Sequence, residues 1–407
     1  MVTKAPSSAR NTPALPSEIW VLISASFVIA LGFGIVSPVL PQFATEFGVG
    51  VFAASAVIST FAMMRLLFAP ASGSLVQKLG ERPVYLSGLL IVALSTGACA
   101  FAQTYWQLLV FRGLGGIGST MFSVSALGLL IRMSPNHSRG RVSGLYATSF
   151  LLGSIGGPLL GGAVVGLGLR APFIIYAVAL VIAAAVVFFS LGDMKELETS
   201  KDSSIPVSTL RSALRVPAYR AALASNLATG WVVFGVRVAL IPLFVIAMLE
   251  RSAAVAAVSL AVFAVGNALV LTTSGRLSDT RGRKPFVVSG LVVSGVFTAA
   301  IGLTEDVVLF MIFSFLAGVG SGLMTPAQQA TIADVIGSKA RGGPVLSTFQ
   351  MSADVGAILG PVIAGAIVEA YSYGTAFVTS GLILLLAAAW WIVVPDTTDR
   401  KHEHEPQ

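Results

Sequence analysis

Apolar runs of about 20 residues, separated by short polar breaks, fill the chain from residue 19 to residue 394. A helix needs roughly 20 apolar residues to cross a hydrocarbon core of about 30 Å. Twelve such segments are predicted, the first six at residues 19–40, 51–76, 84–102, 106–131, 142–167 and 171–191. The second six are predicted at 221–249, 253–277, 286–303, 307–333, 345–370 and 375–394. The polar stretches between them divide the chain into a tail (1–18), a six-segment half (19–191), a connection (192–218), a second half (219–394) and a tail (395–407). The predicted fold class is an all-α integral membrane protein with two six-helix halves.

Composition agrees with that reading. Of 407 residues, 55% are hydrophobic and only 11% charged, against about a quarter charged in a soluble domain. The net charge of +7 would suit nucleic acid, but its distribution sets orientation instead. Twenty of the 25 Lys and Arg fall in the tails and in alternate connections on one side. The other side holds Arg170 and Arg251, and the remaining three, Arg65, Arg112 and Arg237, lie inside segments. Basic residues stay in the cytoplasm, so both termini are expected there, in a multi-pass protein of the cell membrane, a bacterial plasma membrane. No nucleic-acid partner is expected, and no cleaved signal, since the first segment is full length. Cys99 is the single cysteine, which excludes an internal disulfide and a thiolate metal site. His402 and His404 read as a solvated tail, so no metal or other cofactor is expected.

The two halves repeat each other. "FGIVSPVLPQF" from Phe33 is similar to "FGVRVALIPLF" from Phe234, and "FRGLGGIGS" from Phe111 to "FSFLAGVGS" from Phe313. "SGSLVQKLGERP" at Ser72–Pro83 is echoed by "SGRLSDTRGRKP" at Ser274–Pro285. Gly157-Pro158 aligns with Gly360-Pro361, and all four offsets lie between 201 and 203 residues. Six segments separate the copies, so both enter the membrane the same way, as parallel repeats.

These motifs resemble the major facilitator superfamily of secondary transporters. The charged knot in the second half carries Gly275, Asp279, Gly282, Arg283 and Lys284, a full match to that family's G-x-x-x-D-x-x-G-R-[RK]. The first copy keeps Gly73 and Arg82 but has Gln77 in place of the acid. Arg112 resembles the family's segment-4 arginine. Gly153, Gly157, Pro158, Gly161 and Gly162 resemble the GxxxGPxxGG motif of its twelve-helix drug:proton antiporters. The resemblance implies alternating access, with the knots as cytoplasmic loops latching the halves. Asp279 would meet the start of segment 5 near Arg139 and Arg141. The helix-5 glycines lie four apart and read as a close-packing face.

Ionisable groups in a membrane mark function by default. Asp354 is the one acid well inside a segment; Asp334 and Glu369 lie near segment ends. In the family's fold, segments 2 and 11 face each other across the halves, so Arg65 and Asp354 form a candidate proton switch. Arg112 is a further proton-coupling candidate. Trp231, Phe33, Asn226, Arg237, Gln328 and Gln329 lie on cavity-lining segments of that fold and are substrate-contact candidates. There is no nucleophile–base pair and no phosphate loop, so neither an enzyme nor an ATP-driven pump is expected. The resulting expectation is a monomeric proton-coupled exporter of drug-like or small metabolite molecules, working with protons, a small-molecule substrate and the bilayer. An exporter or symporter of one anionic or neutral metabolite such as a sugar, and a non-transporting receptor or scaffold, are the alternatives.

Overall fold

In the computed structural model, residues 15–133, 139–191, 210–336 and 343–396 are described. Among them, twelve helices are long and apolar enough to cross a membrane. In the first half these are α1 (Ser17–Val36), α2 (Val51–Leu79), α3 (Glu81–Ala100), α4 (Tyr105–Met133), α5 (Arg139–Val164) and α6 (Ala171–Ser190). In the second they are α7 (Pro217–Ala247), α8 (Ala253–Arg281), α9 (Lys284–Ile301), α10 (Val307–Ile336), α11 (Gly343–Ala370) and α12 (Tyr373–Val393).

Local chemistry explains where these helices depart from the sequence expectation. The first segment breaks at Ser37 and resumes as a short helix, Leu40–Thr45. Pro38 lacks an N–H and crowds the preceding turn, which ends α1 there. The knots are not loops. Both α2 and α8 run for 29 residues, about 43 Å at 1.5 Å per residue. That exceeds a hydrocarbon core of about 30 Å, so their last turns project beyond it with the charges. Each then turns on a single glycine with positive φ, Gly80 at 83° and Gly282 at 94°, a conformation that costs glycine little.

Each half has its own apolar core. Ile19, Phe43, Tyr85, Leu89, Phe173 and Leu180 anchor the first. Tyr219, Phe244, Phe310, Phe377, Leu384 and Trp391 anchor the second. The halves meet along two related seams, α2 against α11 and α5 against α8. The named contacts cluster toward the end of the bundle away from Leu15 and Asp396. Ser59 Oγ donates to the Ile358 carbonyl at 2.6 Å, and a Cβ on Gly162 would lie 2.9 Å from that of Ala257. Ala239 and Leu243 of α7 join the first half's core at this end. Toward the opposite end, Leu67 and Phe68 of α2 and Leu346 and Met351 of α11 are exposed.

Candidate functional site

The α2–α11 seam brings charge between the halves. The helices run antiparallel, with Phe52 opposite Glu369 and Ser59 opposite Ile358. The same register continued places Arg65 across from Asp354. Asp354 lies within electrostatic reach of Arg65, and so does Tyr146 of α5. The structure has Arg65 and Asp354 as facing groups rather than as a closed salt bridge; the Arg65 Nε is buried without a partner. At the far end of the seam, Glu369 Oε1 accepts from the Phe52 N–H at 2.9 Å. Gly50, the residue capping α2, supplies no side-chain acceptor. A carboxylate of one half thus caps a helix of the other.

Two aromatic–arginine clusters are built on rings that the repeat relates. Arg112 of α4 lies over the Phe61 ring at 4.4 Å, and Phe33 of α1 packs on the same ring at 6.2 Å. In the second half, Arg237 of α7 lies over Phe263 of α8 at 4.0 Å. Phe61 and Phe263 are 202 residues apart, and Phe33 and Phe234 are 201 apart, so the repeat sets both pairs. Phe33 is 41% exposed and Phe234 57%. Phe61, Phe234 and Phe263 were absent from the sequence-derived set, although the repeat offset carried the signal.

Other candidates are engaged in packing. Trp231, a substrate-contact candidate by sequence, is 7% exposed, and its indole N–H donates to Ser380 Oγ of α12 at 3.2 Å. The reason lies in widened π-type turns over Gly230–Val236, which seat α7 against Ala353 and Pro361 of α11 through Gly230 and Gly235. The Asn226 amide is likewise spent within its half, donating to the Phe349 carbonyl at 2.6 Å. Gln328 is buried with its Nε2 unpartnered, and Gln329 is exposed.

The second-half knot is tied inside its own half. Arg283 pairs with Asp279 and, through Nε at 3.2 Å, with Asp334 of α10. Burial works against the charged guanidinium, and the bonds to Asp279 and Asp334 outweigh it, leaving its pKa raised. Asp396 accepts from the backbone N–H groups of Arg283 and Lys284 at 3.2 and 3.0 Å. It thereby caps α9, where a helix N-terminus favours negative charge. Lys284 Nζ donates to the Ile392 carbonyl at 2.6 Å. Asp279 remains 63% exposed. The side chains of its expected partners, Arg139 and Arg141, lie outside the described residues. In the first copy, Gln77 is exposed and Arg82 donates to the Phe188 carbonyl at 2.8 Å. A Cβ on Gly73 would meet nothing within 4 Å, whereas one on Gly275 would touch Pro326 at 3.6 Å.

The helix-5 glycines face α1 of their own half. A Cβ on Gly153 would meet Ala30, one on Gly157 the Leu31 carbonyl, and one on Gly161 the Ile35 carbonyl, all at 2.5–2.6 Å. Pro158 sits against Gly34 of α1. Gly162 instead touches the other half, at Ala254 and Ala257. The close-packing face expected of Gly153, Gly157 and Gly161 is therefore turned toward a helix of the same half.

Comparison with known proteins fits this architecture. The multidrug resistance protein MdtG of Salmonella paratyphi C is 26% identical over 371 residues, covering 89% of this chain and 91% of that protein. The quinolone resistance protein NorA of Staphylococcus aureus is 23% identical over 369 residues, covering 90% and 94%. A bacterial homologue of the human lysosomal transporter Spinster, solved in an inward-facing conformation, superposes with a TM-score of 0.80. It shares 16% identity over 97% of this chain and 100% of its own. The Major Facilitator Superfamily profile matches residues 22–249 and 227–407. This chain, not an enzyme but a transporter by descent, belongs to the Major Facilitator Superfamily.

Proposed function

We propose that the protein is a proton-coupled antiporter, exporting drug-like or small metabolite molecules by alternating access with both termini in the cytoplasm. The observation that carries this reading is the placement of Arg65 and Asp354 on opposite halves, within electrostatic reach across the α2–α11 seam. A proton on Asp354 removes the negative charge from that seam and changes how strongly the halves attract each other there. The similarity to two drug-resistance proteins supports an export role.

The test is substrate-driven proton flux in proteoliposomes over a compound panel. Asp354→Asn is expected to abolish proton-driven accumulation and leave passive exchange. Arg65→Ala should also impair coupling, and the double variant should cost little more than either single one, because groups that act as a unit are not additive. Full proton-driven export by Asp354→Asn would refute the mechanism. A symporter would move protons and substrate the same way, and a receptor would show no flux.

A further inference from the structure

We propose that Arg237 is an anion-binding group of the substrate site, so that the transported molecules carry an acidic group on a flat apolar frame. This rests on the transport reading above and names the substrate class. Arg237 is 4% exposed, and its Nε and Nη1 have no hydrogen-bond partner. Its named contact is the face of Phe263 at 4.0 Å. Among the described residues no carboxylate pairs with it: the second half's salt bridges belong to Arg283, and Asp354 lies in the field of Arg65.

A cation–π contact offsets only part of the cost of taking a guanidinium out of water. A buried cation with free donors is thus a site awaiting an anion, and the fork of a guanidinium fits a carboxylate through two parallel bonds. Arg112 is a weaker candidate, because only its Nε is unpartnered and Cys99 and Tyr176 lie within its field.

The surroundings suit the rest of such a molecule. Arg237 lies ten residues from the far end of α7, and Phe263 ten from the far end of α8. Both therefore lie about 15 Å along their helices from that end, at 1.5 Å per residue. Phe234 stands three residues away on α7, 57% exposed. A ring against the exposed Phe234 and an acidic group on Arg237 would satisfy both features.

Equilibrium binding to the purified full-length protein in detergent tests this directly. The probes are matched pairs differing only in charge: 2-naphthoate with 2-naphthamide, and salicylate with salicylamide. The wild type should bind each carboxylate at least tenfold more tightly than its amide, the scale of a charge-assisted hydrogen bond. Arg237→Gln should erase the preference, and Arg237→Lys should keep part of it, since a lysine supplies charge without the fork. Phe234→Ala leaves Arg237 in place and should weaken both members of a pair equally, so a misfolded Arg237→Gln protein does not decide the matter. A wild type that binds amides as well as carboxylates, or binds neither, overturns the proposal, as does a preference that survives Arg237→Gln. Proton flux is measured separately, so a carboxylate preference without flux would count against antiport while leaving the Arg237 site standing.

Discussion

Glu369 holds the halves together from one side only, and removing it should open them. Its Oε1 accepts from the Phe52 N–H at 2.9 Å, capping α2 where Gly50 offers no side chain of its own. Losing a helix cap costs about 0.5–2 kcal/mol, typically ~1. An acidic group at an exposed helix N-terminus contributes about 0.3–1 kcal/mol. The same carboxylate supplies both effects, and Glu369 is exposed, so the closing energy is about 1 kcal/mol, or roughly fivefold in population. Glu369→Ala should raise the fraction of molecules open at this end by that factor. Glu369→Gln keeps an acceptor oxygen but loses the charge, and should shift the population only about twofold. Spin labels at Glu46→Cys and Tyr371→Cys, in a Cys99→Ser background, report the separation by electron–electron resonance. Gly50→Ala should act in the same direction, because a Cβ there would occupy the place of the Glu369 carboxylate. Combining it with Glu369→Ala should add little. An unchanged distance distribution in Glu369→Ala would refute the reasoning.

Three further outcomes can be checked. Single cysteines at Glu46, Arg170 and Glu305 should react with an impermeant thiol reagent from outside intact cells, while Asp279 and Lys339 should not; the reverse pattern overturns the proposed orientation. Asp334→Asn should destabilise the protein more than Asp279→Asn in a detergent melt, since their side chains are 8% and 63% exposed. Breaking a buried pair costs about 3–5 kcal/mol, against about 0–1 for an exposed one. Gly360→Ala should lose about 1–3 kcal/mol through overpacking, because its Cβ would meet the Trp231 carbonyl at 2.6 Å; Gly73→Ala, with nothing within 4 Å, should not.

The twelve spans were legible because a bilayer imposes length and hydropathy on each helix separately. The repeat was legible because glycines and prolines such as Gly157-Pro158 and Gly360-Pro361 mark helix contacts that both halves need. What hydropathy could not reveal was direction around a helix axis. Trp231 has the depth expected of a cavity residue, yet the wide turns over Gly230–Val236 carry it toward α12. Gly153, Gly157 and Gly161 form the expected small-residue face, but spacing cannot name the partner helix, which is α1. The charged knots read as loops because charge and glycine usually mean loop. Helices longer than the membrane core place the same residues on projecting turns instead.

The charges mark where the two copies differ. Arg65 corresponds by the repeat to Asn267, Asp354 to Leu151, Arg112 to Ser314, Arg237 to Val36, Asp279 to Gln77 and Glu369 to Gly166. There is a physical reason for this. A charge kept in both copies puts the same sign at related positions, doubling the desolvation cost without making a pair. An attraction across the halves needs opposite partners, and so needs the symmetry broken. Arg65 facing Asp354 and Glu369 capping α2 both fall on the α2–α11 seam. The related α5–α8 seam has Asn267 and Leu151 in place of the facing charges, Gly166 in place of the capping acid, and close packing of Gly162 on Ala254 and Ala257. Small apolar side chains keep contact through a modest rotation, because dispersion between them depends little on direction. Charged contacts are made or lost over a short distance in a low dielectric. On the proposed mechanism the α5–α8 seam would serve as a pivot, and the α2–α11 seam as the one whose strength a proton changes.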